Sequence, residues 1–136
     1  IRRDADDEHP LIRTILGVDD ASDSMTFAGD MPEGYLARLM RTNTDRLIQS
    51  AGQAAGAAAG QFAISDAPLV LAVSCVGRRL VLGERTDDEI ESVQAAVPPR
   101  AGQVGFYSYG EISPRLPGGG CDLHNQTMTV TVLDEA

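Results

Sequence analysis

Apolar and polar positions change their spacing several times along the chain, and each change marks an element. Residues 11–16 read as a strand, 17–23 carry turn chemistry, 25–28 form a short strand and 29–34 turn again. A third strand is predicted over 35–40, and short strands cut by Gly, Asp and Pro predict an antiparallel meander. Residues 42–45 then offer N-cap oxygens to a helix. Its apolar stripe is Leu47, Ile48, Ala51, Ala54, Ala55, Ala58, Ala59 and Phe62, at helical spacing. Gly52, Gly56 and Gly60 recur four apart beside the stripe and predict the close approach of another element, because glycine inside a helix otherwise costs about 1 kcal/mol.

Residues 69–76 are apolar on both faces, as a central strand is. Thr86-Asp-Asp-Glu89 reads as a capping box and predicts a helix over 87–96, with Ile90, Val93 and Val97 inward and Pro98-Pro99 as its stop. Residues 103–109 are the next strand, and strand–helix–strand predicts a parallel pair with a right-handed crossover. In the last strand Met128, Val130 and Val132 share one face while Thr127, Thr129 and Thr131 share the other, which suits solvent or a partner. The expected fold is α+β: a mixed, largely antiparallel sheet of about five to six strands with two main helices packed on it. Residues 1–8 are charged and read as a linker or frayed end, leaving 9–136 as a single domain cut from a longer chain.

Composition narrows the function. The chain has 136 residues, 43% of them hydrophobic, which suits one domain with a full core. Its formal charge is −9 and all 11 basic residues are Arg, so phosphate backbones are repelled and no basic stripe overrides that. Nucleic acid is excluded as a partner. Without Lys there is no Schiff-base chemistry and no Walker-type lysine. No apolar run is long enough for a bilayer span, and Cys75 and Cys121 are too few for a disulfide framework, so the expectation is a reduced cytoplasmic protein that avoids membranes. With His9 and His124 they make no recognisable zinc set.

The candidate chemistry gathers at strand ends. Carboxyl ends of parallel strands are where α/β sheets bind ligands, and they carry Ser74-Cys75 and Tyr109-Gly110-Glu111. The antiparallel last strand brings His124, Asn125, Gln126 and Thr127 to the same edge. Ser74, Arg78, Tyr109, Glu111, His124, Asn125 and Gln126 are thus the candidate pocket. Arg78 suits a ligand carboxylate. Glu111 suits a ligand amine, or an internal pair with Arg78 or Arg79. Tyr109, nearer the edge than Tyr107, is the better stacking candidate. His124 and Gln126 fall on the apolar face and need partners, since each unpaired burial costs roughly 1–3 kcal/mol. Cys75, His124 and Glu111 are the residue types of a thiol hydrolase, but nothing beside Cys75 supplies an oxyanion hole, so no enzyme activity is expected. Gly118-Gly-Gly120 precedes no helix and reads as a flexible connection, not a phosphate cradle. Cys75 and Cys121 are a conceivable redox pair at the same edge.

At these residues the chain resembles the C-terminal domain of the FIST family. The likeness is carried by Ser74-Cys-Val-Gly-Arg-Arg-Leu-Val-Leu-Gly-Glu-Arg85, Gly105-Phe-Tyr-Ser-Tyr-Gly-Glu-Ile-Ser-Pro114 and Leu123-His-Asn-Gln-Thr127, with weaker matches at Pro32-Glu-Gly34 and Leu39-Met-Arg41. The resemblance implies a bacterial signal-input module that binds a small molecule, with amino acids as the expected ligand class. It implies an N-terminal FIST half as a partner, and an output through a histidine kinase, a chemoreceptor or a cyclic-dinucleotide enzyme. It also implies an alternative, a haem sensor of nitric oxide with His124 on the iron. A protein-interaction scaffold without a ligand is the third reading.

Overall fold

The computed structural model describes residues 1–61, 63, 65–114 and 119–135. Phe62, at the end of the predicted helix stripe, and Gly118, at the head of the glycine run, lie outside them. The elements are β1 (Ile15–Asp19), β2 (Ser24–Phe27), α1 (Thr44–Ala59), β3 (Leu69–Cys75), α2 (Val76–Leu82), a 3-10 turn at Gly83–Arg85, α3 (Thr86–Ala95), β4 (Gly102–Ser108), β5 (Glu111–Pro114), β6 (Cys121–His124) and β7 (Met128–Leu133). The class is α+β, with α1 and α3 as the main helices. The strands divide into a mixed three-stranded sheet, ordered β4-β3-β7, and two antiparallel pairs, β1-β2 and β5-β6.

β3 is the centre of the main sheet, as its two apolar faces predict. It runs parallel to β4, with Ser74 opposite Tyr107, and antiparallel to β7, with Ser74 opposite Met128. One face holds the core, where Ala51 and Ala55 of α1 and Val93 of α3 meet Val70, Met128 and Val132. On the opposite face Leu69, Val104, Phe106 and Leu133 are substantially exposed. The helices lie over β3 and β7 and leave the inner face of β4 open beside α3.

Several sequence expectations shift in register or partner. The strand expected over 35–40 is reduced to one bridge, in which the Arg2 and Leu36 amides and carbonyls exchange hydrogen bonds of 2.9 Å. That bridge also ties down the start of the 1–8 stretch, so its first residues are docked instead of frayed. The last strand does not continue back to His124. Gln126 has φ of 57°, a left-handed conformation that ends β6 and re-aims the chain into β7. β7 accordingly pairs with β3, not with β4.

Helix ends show the same competition between local and tertiary chemistry. Asn43 caps α1 by accepting the Arg46 amide at 2.9 Å. The predicted capping box of α3 does not form: the 3-10 turn feeds the helix directly, and the Thr86 hydroxyl donates to the Gly83 carbonyl at 2.6 Å. Glu89, the acid of that box, is wholly buried against Arg78. Of the three spaced glycines only Gly52 meets α3, where a Cβ would stand 2.6 Å from Ser92 Oγ. Gly56 faces open space.

Candidate functional site

Arg78 lies in the first turn of α2, directly after β3, so the strand end and the helix start deliver Ser74 and Arg78 to one buried spot. Both are 3% exposed, and Glu89 reaches them from α3 at 0%. Arg78 Nε and Nη2 stand 2.7 and 2.6 Å from Glu89 Oε1, while Ser74 Oγ donates to Glu89 Oε2 at 2.9 Å. The rest of the guanidinium is satisfied by the Leu47 carbonyl at 2.7 Å, Ser50 Oγ at 3.2 Å and the Gln126 carbonyl at 3.4 Å. All five guanidinium N–H groups are engaged, so Arg78 has no donor left for a ligand carboxylate.

The remaining predicted residues form a second polar knot. Glu111 and His124 are directly opposed in the β5-β6 ladder. Glu111 is 2% exposed, and its two oxygens accept from Ser108 Oγ at 2.7 Å and Thr127 Oγ1 at 2.9 Å. It pairs with neither Arg78 nor Arg79. Asn125 is buried, accepting the Thr14 amide at 3.3 Å and donating to the His124 carbonyl at 3.1 Å. Gln126 gives its carbonyl to Arg78, yet its side-chain Oε1 is buried without a partner. Tyr109 projects beyond the end of β4 and is 89% exposed. Six of the seven candidates therefore sit in two internal networks, and the seventh is in solvent.

His124 Nε2 is 3.1 Å from the Ser113 carbonyl. A carbonyl can only accept, so this nitrogen carries the proton, and the lone pair of the neutral imidazole is on Nδ1. His124 lines neither of the clefts described below. Neither of those clefts offers His124 to a haem iron. Cys75 is buried and its amide donates to the Thr127 carbonyl at 3.1 Å, while His124 and Glu111 bond elsewhere, so the thiol-hydrolase set is not assembled. Among the described residues no group of three metal-ligating side chains converges.

Two clefts flank these knots. One, of about 570 Å³, is open and acidic, with Asp4, Asp6, Asp7 and Asp122 beside Arg3 and His9. Gly119 and Gly120 form part of its wall. The other, of about 460 Å³, lies between α3 and the uncovered inner face of β4, with Ser74, Ala72 and Met128 as its floor. That volume is in the range of small-molecule sites. Residue 105, on its strand wall, has to be glycine, because a Cβ would strike the Ala72 carbonyl. Gln103 and Tyr107 flank it on the same wall, and Gln103 Oε1 and the Tyr107 hydroxyl oxygen are both buried without a hydrogen-bond partner. Burial, then the nearby Glu89 carboxylate, holds the Tyr107 phenol above its ordinary pKa. Arg79 covers the ring at 5.2 Å.

The sequence pointed to Ser74 but not to Gln103 or Asp87, and it favoured Tyr109 over Tyr107, although all but Tyr109 share this cleft. Strand alternation does carry the signal: Gln103, Gly105 and Tyr107 are a polar–glycine–polar series on one face of an otherwise covered strand. Residues 1–114 match the FIST C domain, so the segment 123–127, with His124, Asn125 and Gln126, lies beyond the matched stretch. No characterised protein and no solved structure matches the chain. With most of its length in that match, the chain belongs to the FIST C domain family, a sensory domain family of signal-transduction proteins.

Proposed function

We propose that this domain is a small-ligand input module without chemistry of its own, and that its ligand occupies the cleft between α3 and β4. The observation that carries the reading is the pair of partnerless polar atoms, Gln103 Oε1 and the Tyr107 hydroxyl, in the walls of that cleft. Each unsatisfied group costs about 1–3 kcal/mol, a strain that an entering ligand relieves and that apolar residues would never incur. Sensing needs two states of differing affinity, and relief of this strain supplies the difference. Ser74 on the cleft floor is bonded to Glu89, Glu89 to Arg78, and Arg78 to Leu47 and Ser50 of α1. A ligand that re-orients Ser74 thus acts on the helix across the core.

The exposed face of the sheet, where Thr129 and Thr131 of β7 and Val104 and Phe106 of β4 lie on either side of β3, is the contact we assign to an N-terminal FIST half. The output partner is then a histidine kinase, a chemoreceptor or a cyclic-dinucleotide enzyme. A cytoplasmic setting accords with two unpaired cysteines, and among the described residues no helix is long and apolar enough to cross a membrane.

The test is a two-dimensional amide NMR screen with small metabolites, run on the intact chain and on a Gln103→Leu/Tyr107→Phe double variant. A binder that shifts the cleft amides and is weakened in the double variant supports the reading. Binders that perturb only other surfaces, or that ignore the double variant, refute it in favour of a different site. Absence of any binder leaves the scaffold reading in its place.

A further inference from the structure

We infer that the α3–β4 cleft takes an organic cation, a primary amine or guanidinium carried on a small apolar body, in preference to a free amino acid. The inference rests on the reading of this cleft as the ligand site. It follows from the donor and acceptor inventory of the walls. Among the described residues the only formal charge there is Asp87, a solvent-exposed carboxylate. Gln103 Oε1 is an acceptor in want of a donor. Two hydroxyls of the wall already donate inward, Ser74 to Glu89 at 2.9 Å and Thr86 to the Gly83 carbonyl at 2.6 Å. What they retain for a ligand is acceptor lone pairs.

The unpartnered Tyr107 hydroxyl can donate or accept, so the free acceptors of Gln103, Ser74 and Thr86 and the one negative charge of Asp87 set the preference, which complements a donor-rich cation. A ligand carboxylate would meet Asp87, and the nearest uncommitted guanidinium, Arg79, lies over the ring of Tyr107 and is not itself part of the wall. The arginine nearest the floor in sequence, Arg78, has every N–H committed inside the protein. Burying an unpaired carboxylate is costly, and like charges set side by side add to that cost. The net charge of −9 acts in the same direction at longer range, drawing cations toward the surface and repelling anions. Ala72, Ile90 and Met128 supply an apolar surface for the body of the ligand.

Matched pairs test the inference: 3-methylbutylamine against leucine and 2-phenylethylamine against phenylalanine, each titrated into the intact chain by calorimetry with amide NMR mapping. The expected result is that at least one amine binds about tenfold or more tighter than its amino acid. It should shift the amides of Asp87, Gln103 and Tyr107. The exposed substitution Asp87→Asn should then weaken the amine about three- to tenfold and leave the spectrum otherwise native. If an amino acid shifts the same amides at equal or tighter affinity, the cation preference is overturned while the cleft stands. If the amines bind but shift only residues elsewhere, the cleft and the cation preference both fall. If none of the four probes shifts a cleft amide at millimolar concentration, the cation preference is overturned.

Discussion

Arg78 and Glu89, eleven residues apart, form an ion pair of 2.6 Å that is closed to solvent on both sides, at 3% and 0% exposure. It joins the helix that follows β3 to the helix that precedes β4, and through Leu47 it also holds α1. Two charges taken out of water stay there only because the geometry repays the desolvation. Removing one partner strands the other. Glu89→Ala should therefore cost about 3–5 kcal/mol in urea unfolding. The apolar double replacement Arg78→Met/Glu89→Leu should recover most of that loss. A single variant that loses less than about 1 kcal/mol would show that the pair is not what closes this part of the core.

How much of this was legible in the sequence depends on whether the information was local. β3 announces its central place through a seven-residue run that is apolar on both faces except at Ser74, and Asn43 announces the start of α1 because an N-cap is read from adjacent residues. Glu89 shows the limit. Its spacing from Thr86 satisfies a capping box, but a buried guanidinium from another helix competes for the same carboxylate and wins. His124 and Glu111 were rightly placed as neighbours, yet through a β5-β6 hairpin and not through the predicted last strand. The break at Gln126 depends on a left-handed residue that is neither Gly nor Asn, and so gives no turn signal. The cleft was hidden for another reason. It exists where the helices stop short of β4, and helix placement is a matter of packing that spacing does not encode.

Tyr107 gives a prediction with opposite signs for stability and binding. Its hydroxyl is buried without a partner, so Tyr107→Phe should stabilise the free protein by about 1 kcal/mol in chemical unfolding. The same change should weaken any cleft ligand. The stability gain should depend on pH. The folded phenol titrates above its ordinary value of 10.0, mainly through burial and then through Glu89. Below that value both states keep the proton and the term is constant. Above it the unfolded chain ionises first, so the stability of the native protein falls as pH rises through the folded value. The margin of Tyr107→Phe over the native chain should thus be larger at about pH 11 than at about pH 8. An equal margin at both would show that the phenol is not held in its neutral form by the fold.

The glycines of α1 separate two meanings of the same residue. Gly56 faces open space, so Gly56→Ala should stabilise the protein by about 1 kcal/mol through helix propensity alone. Gly52 touches α3, where an added Cβ would stand 2.6 Å from Ser92 Oγ and 3.0 Å from the Ser92 carbonyl oxygen. Gly52→Ala should lower the melting temperature despite the same gain in propensity, since overpacking costs about 1–3 kcal/mol. Ser92→Ala in that background should restore part of the loss, because the carbonyl contact persists. If Gly52→Ala and Gly56→Ala behaved alike, the close crossing of α1 and α3 would be wrong.

The two thiols should report the burial pattern directly. Cys75 ends β3 with 5% exposure, its amide bonded to the Thr127 carbonyl, whereas Cys121 opens β6 in solvent. Reagent must reach a thiolate to react, so an aromatic disulfide reagent should titrate Cys121 at once in the native protein and Cys75 only as the chain unfolds. Cys121→Ser should abolish the fast phase. Oxidation without denaturant should join two chains through Cys121, giving a dimer on a non-reducing gel. A faster-running monomer would instead mean that Cys75 and Cys121 meet within one chain, and that the β3 end opens far enough to expose a residue it otherwise buries.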